Sequence, residues 1–304
     1  MEAAAIVLAA GAGTRMKSSK PKVAHEILGK PLVRWVIDAA HAADITNIAT
    51  VVGHAREQVI PLVEVDSEVV VQREQRGTAD AVAACKETFA DFSGSLVVLS
   101  GDCPLITPET IAHLIAEREK TNAAVVVLTM QLDNPFGYGR IIRDAQGHVE
   151  RIVEQKDATP AEAAVCECNS GFYCFDARAL FAALEEVKSD NAQGEFYLTD
   201  VLEISRRAGR EVRALLTDDS AECLGVNSRV QLAQATKYMQ ARINKVHMEN
   251  GVTMWDLDAT WIGPEVEIAP DTEILPNTML LGKTVINTPA TLGPNVCIVD
   301  GQKL

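Results

Sequence analysis

The stretch Leu8–Lys22 reads LAAGAGTRMKSSKPK and joins an apolar run to a glycine turn and then to four cations. The residues from Ala3 to Ala10 (AAAIVLAA) are small or β-branched, the composition of a central parallel strand covered on both faces. The turn therefore opens at the carboxyl edge of a sheet, where open α/β folds hold their ligands. Gly11 and Gly13 have no Cβ, so the backbone can take unusual φ values and its N–H groups can come close to phosphate oxygens. Arg15, Lys17, Lys20 and Lys22 supply charge, Arg15 as a bidentate fork and Lys22 as a point contact on a segment stiffened by Pro21. Together these features predict a nucleoside triphosphate site. Two commoner phosphate loops are excluded by spacing. The dinucleotide fingerprint needs a third glycine where this chain has Met16, and GxxxxGK followed by Ser or Thr occurs nowhere.

A chain of 304 residues has room for one large domain and a smaller appendage, and 47% hydrophobic residues can fill a sizeable core. The formal charge of −14 argues against nucleic acid or an acidic membrane as partner, since both need broad positive fields. Any bound anion must be held by local cations. No apolar run reaches membrane-spanning length, and Glu2 with no basic residue ahead of a short apolar run does not make a signal peptide. A cytoplasmic protein is expected. Seven cysteines without a CxxC, Cys166 and Cys168 being the one close pair, read as buried reduced thiols. His25, His41, His54, His113, His148 and His247 show no ligand spacing, and none is assigned to catalysis.

Strand-like and helical patterns alternate through the first half of the chain. Pro31 opens a helix with Leu32, Val33, Val36, Ile37 and Ala40 at helical spacing. Strands are expected over 48–52, 69–71, 96–99 and 124–129, with helices near 56–63, 78–89 and 108–120. This βα alternation implies an α/β fold with a mainly parallel, Rossmann-like sheet. From Asn134 to Ala177 the pattern turns to hairpins with Gly137, Gly139 and Gly147, which predicts an insertion laid over the sheet edge. Helices follow near 177–187 and 195–207.

The tail is built differently. From Ile262 a branched apolar residue recurs every six positions, at Ile268, Ile274, Leu280, Ile286, Leu292, Ile298 and Leu304. Four residues after each of the first six stand Val266, Thr272, Thr278, Thr284, Ala290 and Val296. A six-residue period predicts a left-handed parallel β-helix in which each repeat forms one side of a triangular coil. A long helix from Ser228 to Asn250, with Leu232, Ala235, Met239, Ile243 and Val246 on one side and Gly251 as its stop, leads into it. The expected organisation is a nucleotide-handling domain over 1–227, a connecting helix over 228–250 and a partial β-helix over 251–304.

After the strand at 96–99 come Ser100, Gly101 and Asp102, then Cys103 and Pro104. An acidic residue at the carboxyl end of a sheet strand points into the ligand crevice and can hold Mg²⁺ against phosphate oxygens. LAAGAGTRM followed by PK, GD after a later strand, and FGYGR (Phe136–Arg140) together resemble the sugar-nucleotide pyrophosphorylases. QREQRGT (Gln72–Thr78), IVEQKD (Ile152–Asp157), ECNSG (Glu167–Gly171), NAQGEFYLTD (Asn191–Asp200) and GVNSR (Gly225–Arg229) narrow the resemblance. It becomes one to the bacterial bifunctional N-acetylglucosamine-1-phosphate uridylyltransferases, whose C-terminal half is a hexapeptide-repeat acetyltransferase.

That resemblance implies roles. Ala10 and Gly11 with Gln72, Gly77 and Thr78 would surround uracil and ribose, and Leu8, Ala9, Ser100 and Gly101 would also be substrate-binding. Arg15 and Lys22 would grip the triphosphate and serve catalysis with Asp102. Gly139, Glu154 and Asn169 would contact the N-acetylglucosamine part. Asp102 and Asn227 would coordinate Mg²⁺. The residue types agree: Gln72 can donate and accept together, as a pyrimidine edge requires, and Glu154 can accept from sugar hydroxyls. Asn227 on its own would be an ordinary helix cap. The expected substrates are UTP and N-acetylglucosamine 1-phosphate and the expected product is UDP-N-acetylglucosamine. Rival readings are another sugar-1-phosphate nucleotidyltransferase, using dTTP or another hexose, and a non-catalytic nucleotide-binding assembly module. The coils from Trp261 to Leu304 number about two and a half at about eighteen residues each, and stop short of the family's acetyl-transfer histidine and lysine. A weak homotrimer without acetyltransferase activity is therefore expected.

Overall fold

Ala4, Ala5, Ile6 and Val7 lose all exposed surface, which only a strand flanked on both sides and covered on both faces allows. The computed structural model describes residues 2–303, and Leu304 lies outside them. In chain order the first part runs β1 (Ala3–Ala9), β2 (Glu26–Ile27), β3 (Lys30–Pro31), α1 (Leu32–Ala42), β4 (Asn47–Val52), α2 (Arg56–Val63), β5 (Glu68–Val71), α3 (Thr78–Ala83), β6 (Ser95–Ser100), α4 (Pro108–Thr121) and β7 (Val125–Gln131). It continues with β8 (Arg140–Arg143), β9 (Val149–Val153), α5 (Pro160–Ala163), β10 (Glu167–Asp176), α6 (Ala177–Leu184), α7 (Asp200–Arg207) and β11 (Val212–Leu216).

The main sheet has the order β11-β7-β10-β6-β1-β4-β5, with the β8–β9 hairpin attached to β10. β1 runs parallel to β4 and β6, β4 to β5, and β7 to β11. Ile6, Val98, Phe175, Leu180 and Leu202 join the core of one face, and Val7, Ile37, Leu99, Ile111 and Leu114 that of the other. The sheet is thus a middle layer between helices, the expected fold class.

The β8–β9 hairpin stands off the main strand order, but the rest of the hairpin region is not an insertion over the sheet edge. β10 lies inside the sheet, antiparallel to both β6 and β7. Its ten residues read as edge hairpin because Asn169, Ser170 and Gly171 interrupt the apolar alternation, and the chain carries two extra residues between the pairs Asn169–Thr129 and Tyr173–Val127. The helix expected over 78–89 ends at Ala83 and continues as turns, while that expected over 195–207 begins only at Asp200. Residues 196–198 instead bond to the Arg76–Ala79 turn: Phe196 N–H donates to Arg76 O at 2.8 Å and Ala79 N–H to Phe196 O at 2.9 Å.

The chain divides into two compact units, the first taking in the chain to Ala24 and Leu32–Gly225, the second His25–Pro31 and the chain from Val226 onward. Helix α8 (Arg229–Glu249) belongs to the second unit and is capped by Ser228, whose hydroxyl accepts from Gln231 N–H at 3.2 Å, so Asn227 is not its cap. Val246 is exposed and the buried positions include Gln240 and Asn244. Their amides donate to the carbonyls of Leu257 and Thr260, which makes this face partly polar. Beyond it lie β12 (Thr253–Met254), β13 (Thr260–Ile262), β14 (Glu267–Ile268), β15 (Glu273–Ile274), β16 (Thr278–Leu281), β17 (Val285–Ile286), β18 (Thr291–Leu292), β19 (Val296–Val299) and β20 (Gln302–Lys303). The pairs Thr260–Thr278–Val296, Glu267–Val285 and Glu273–Thr291 are parallel and eighteen residues apart, one turn of a three-sided coil. Ile262, Ile274 and Leu280 fill its interior, with Ile268, Leu292 and Ile298 packed against them. The hydroxyls of Thr278 and Thr284 donate to the carbonyls of Leu275 and Leu281 at 2.7 Å, which explains threonine at buried turns. β19 folds back on β20 as an antiparallel pair.

All seven cysteines are free; Cys166 and Cys297 are only half-buried, so the expectation of uniformly buried thiols fails for these two. Among the described residues no helix is long and apolar enough to cross a membrane.

Asp176 ends β10, caps α6 by accepting from Ala179 N–H at 2.9 Å, and holds the guanidinium of Arg118, which is 2% exposed. Asp176→Ala leaves that buried charge without its carboxylate, and the expected loss is about 3 kcal/mol or more, read from denaturant unfolding.

Candidate active site

Alternation along β1 turns Leu8 toward a crevice of about 480 Å³ at the carboxyl edge and sends Ala9 into the core of the opposite face. Ala10, Gly11, Ala12, Lys22, Val23, Gln72, Gln75, Gly77, Thr78, Ala81, Ser100, Asp102 and Glu195 complete the lining. Nine of the expected residues thus meet here: Leu8, Ala10, Gly11, Lys22, Gln72, Gly77, Thr78, Ser100 and Asp102. Gly101 is set back from the crevice, and its N–H donates to Leu8 O at 2.9 Å. A Cβ at Gly101 would stand 2.9 Å from the same oxygen, so glycine lets the end of β6 close on β1.

Of the two glycines in the turn only Gly13 takes a left-handed φ, +60°, and a Cβ there would meet Lys22 Cβ at 2.5 Å. The turn and the lysine segment are therefore packed against each other. Gly11 keeps an ordinary φ and has open space beside it, so its lack of a side chain serves the crevice. Arg15, in a short 3₁₀ turn with buried Met16, is exposed and outside the lining.

The central contact is an ion pair between Lys22 Nζ and Asp102 Oδ2, with side chains only 14% and 18% exposed. The thiol of Cys103 donates to the other oxygen, Oδ1, at 3.6 Å, and burial pushes that thiol well above its ordinary pKa. Gln72, buried, donates from Nε2 to Gly77 O at 3.1 Å and to Asp80 Oδ2 at 2.9 Å. Its amide hydrogens brace the turn, so the donor function expected of it toward a pyrimidine is already used. Gly77 has φ +123°, and a Cβ would fall 2.4 Å from Phe196 O. Thr78 accepts from Leu198 N–H at 3.0 Å.

Gly139, Glu154 and Asn169 form a second cluster, outside that lining. Asn169 N–H donates to Gly139 O at 2.9 Å, and its side chain links Tyr173 Oη at 2.7 Å to Gly171 N–H at 3.0 Å. A Cβ at Gly139 would lie 3.5 Å from both Asn169 Cβ and Glu154 Oε1. Gly171, with φ +84°, brings this bulge beside Ser100, whose Oγ would be 3.2 Å from an added Cβ. Beneath the cluster Arg140, 1% exposed, donates to Tyr138 O, to Ala163 O and to Gln155 Oε1 at 2.8 Å. The same Gln155 oxygen accepts from Gly137 N–H. Asn227 lies in the second unit, where its N–H donates to Gln231 Oε1 at 2.9 Å.

The sequence reading gave no role to Gln75, Glu195, Tyr173, Thr199 or Arg140, although all but Tyr173 stand in strings it singled out. Among the described residues no group of three or more His, Cys, Asp or Glu is arranged to hold a metal ion.

Burial raises the Glu154 carboxyl, a shift opposed by the Thr199 hydroxyl that donates to it at 3.3 Å. Asp200 is pushed up to about 6 by burial, with Glu203 and Asp157 adding like charge. A carboxyl raised on folding binds its proton more tightly in the native state, so its ionisation costs stability as pH rises. Asp200→Asn is expected to raise Tm relative to the parent above about pH 7, with the gain vanishing below about pH 4, where the carboxyl is protonated folded or unfolded. Thermal unfolding at the two pH values checks this.

The family model described as a MobA-like NTP transferase domain matches residues 5–207. The chain is 48% identical over 302 residues to the bifunctional protein GlmU of Lactobacillus delbrueckii subsp. bulgaricus, covering 99% of this chain and 66% of that protein. It is also 48% identical over 297 residues to the Lactobacillus johnsonii GlmU and over 299 to that of Caldanaerobacter subterraneus subsp. tengcongensis, covering 64% and 65% of them. The chain spans just under two thirds of the length of these relatives. A Bacillus anthracis structure assigned as a glucose-1-phosphate thymidylyltransferase, in complex with a sucrose, superposes with a TM-score of 0.64 at 20% identity. That match covers 78% of this chain and 94% of the other, a likeness of fold. With more than half of its length matched by the family model, around a crevice that combines glycine loop, lysine and aspartate, the chain belongs to the MobA-like NTP transferases and is a nucleotidyltransferase relative of the GlmU proteins.

Proposed function

We propose that this chain transfers a uridylyl group from UTP to N-acetylglucosamine 1-phosphate, with Mg²⁺ as cofactor, releasing pyrophosphate and forming UDP-N-acetylglucosamine for cell-wall precursor synthesis. The nucleotidyl-transfer domain would extend over 1–227, followed by the helix of 228–250 and the partial β-helix. The observation that carries the reading is the placement of two clusters on one sheet edge: the crevice with Lys22, Asp102 and Gln72, and the Gly139, Glu154 and Asn169 group beside Ser100.

In this reading uracil lies against Ala10, Gly11 and Thr78, and Gln72, its amide hydrogens engaged, accepts the pyrimidine N3–H through its oxygen. Gly77 and Thr78, clamped on residues 196–198, fix that wall before substrate enters. The phosphates meet the loop amides and Lys22, and Arg15 reaches them from the rim. Glu154 and Asn169 orient the sugar, Glu154 accepting from hydroxyls and the Asn169 amide contacting the N-acetyl group.

Asp102 suits a cation, because its carboxylate already holds an ammonium. It would hold Mg²⁺, with Asn227 as a second oxygen ligand on the strength of the resemblance alone. When bound, Mg²⁺ supplies charge neutralisation on the phosphates and on departing pyrophosphate. No enzymic nucleophile is needed. A phosphomonoester with a second pKa of about 6 is already largely dianionic near neutrality, so its oxygen can attack the α-phosphorus directly. What the chain's residues do is align the two anions and hold the charges that keep them together.

Asp102→Ala is expected to abolish turnover in a coupled pyrophosphate-release assay with the fold retained, and Lys22→Ala or Arg15→Ala to lower kcat by about 10²-fold or more. UTP is expected to be strongly preferred over CTP, ATP and dTTP, and N-acetylglucosamine 1-phosphate over glucose 1-phosphate. Equal rates with dTTP and glucose 1-phosphate would favour the rival transferase, and no turnover with any pair would favour a binding module.

Stacked coils in such proteins associate side by side, and the coils present here support a weak homotrimer. Light scattering across a concentration series should show the mass rising toward three chains, and a monomer at high concentration would remove this part of the proposal.

A further inference from the structure

We propose that Lys22 is a cation placeholder at Asp102, keeping a divalent ion off the carboxylate until a triphosphate draws the ammonium away. The part played by the triphosphate rests on the nucleotidyl-transfer reading, while the exclusion of a divalent ion by Lys22 rests on the ion pair itself. Both oxygens of Asp102 are engaged, Oδ2 by Lys22 Nζ and Oδ1 by the Cys103 thiol, in a contact with little exposure on either side. Two cations cannot share one carboxylate edge without repulsion, so a metal ion must displace the ammonium or be excluded.

The surroundings let the side chain move while its backbone stays. Lys22 begins a 3₁₀ turn whose next two residues, Val23 and Ala24, are 3% and 2% exposed and anchored in the core. Its Cβ sits against Gly13 of the glycine turn, so the flexible stem starts beside the loop amides proposed to meet the phosphates. A triphosphate on the loop amides offers the ammonium several anionic oxygens in exchange for one. Asp102 is thereby released as the metal arrives with the nucleotide. By linkage, whatever occupancy of the triphosphate does for the metal at Asp102, the metal does for the triphosphate.

The test is a Mn²⁺ titration followed by electron paramagnetic resonance, with no nucleotide present, so that its result stands apart from whether UTP is the substrate. Lys22→Met and Lys22→Gln, with folding checked by thermal unfolding, are expected to bind Mn²⁺ about tenfold more tightly than the parent, the scale of one lost contact to a charged group. Lys17→Met, which removes an equal charge from the exposed loop, should change Mn²⁺ affinity less than about twofold, since an exposed charge is screened. The double variant Lys22→Met with Asp102→Asn should lose the gain. An unchanged affinity in both Lys22 variants, an equal gain in Lys17→Met, or a gain that survives loss of Asp102 overturns the proposal.

Discussion

The antiparallel insertion of β10 between β6 and β7 is the constraint on which the first unit depends. Parallel strands deliver their loops to one edge, and β1, β5 and β6 bring the glycine turn, Gln72 and Asp102 there. A strand of opposite direction brings its amino-terminal end to that edge, so β10 can place Asn169, Ser170 and Gly171 beside Ser100 although they begin a strand. The bulge in β10 then shifts the register, and the price is met by hydrogen bonds within the bulge: Ser170 Oγ donates to Leu128 O at 2.7 Å and accepts from Phe172 N–H at 3.0 Å. Past the bulge, Tyr173 to Phe175 resume apolar pairing deep in the core. One strand therefore serves both the Gly139, Glu154 and Asn169 cluster and the centre of the sheet.

Both clusters are braced by buried side-chain and backbone hydrogen bonds. Arg140 ties the carbonyl of Tyr138 to Gln155 and Ala163, holding the Gly139 loop against the strand end that leads to Glu154. Gln72 and the 196–198 backbone do the same for the Gly77 turn. Fully satisfied buried polar networks of this kind fix geometry, whereas a half-satisfied one costs more than an apolar core. The glycines follow the same logic: Gly77 and Gly101 are set where another backbone lies too close for a side chain, and Gly13 where the Lys22 side chain does.

Much of this was legible in the sequence wherever one physical pattern dominated. The apolar run at 3–10, the glycine turn and the six-residue repeat each depend on local composition, and the structure has them. Reading failed where two demands met in one segment. β10 mixes a bulge with a central strand, so its alternation breaks at Asn169–Gly171 and it passed for an edge hairpin. The stretch 195–199 has helical composition, yet its backbone is spent on the Arg76–Ala79 turn, a partner over a hundred residues away. On α8 the expected apolar side includes Val246, which is exposed, while Gln240 and Asn244 are buried because what covers them is a loop offering carbonyls. Periodicity counts hydrophobic residues and cannot see that polar match. The pairing of Lys22 with Asp102 joins positions eighty residues apart and was equally out of reach.

Charge gives the site its character. A chain with formal charge −14 must receive two anionic substrates in the reading proposed here, so its overall field opposes their approach. Beyond about 8 Å that field is screened at physiological ionic strength, and the outcome is decided by contacts. Among the described residues Lys22 is the one cation in the crevice lining, and it is paired with Asp102. A pair of this kind adds little net field to the crevice, and in the proposed reading it separates into one cation for phosphate and one anion for metal at the moment both arrive. The same two side chains thus keep a partly buried site charge-balanced before binding and supply opposite charges after it, which a permanently positive pocket in so acidic a protein could not do without leaving an uncompensated charge at partial burial.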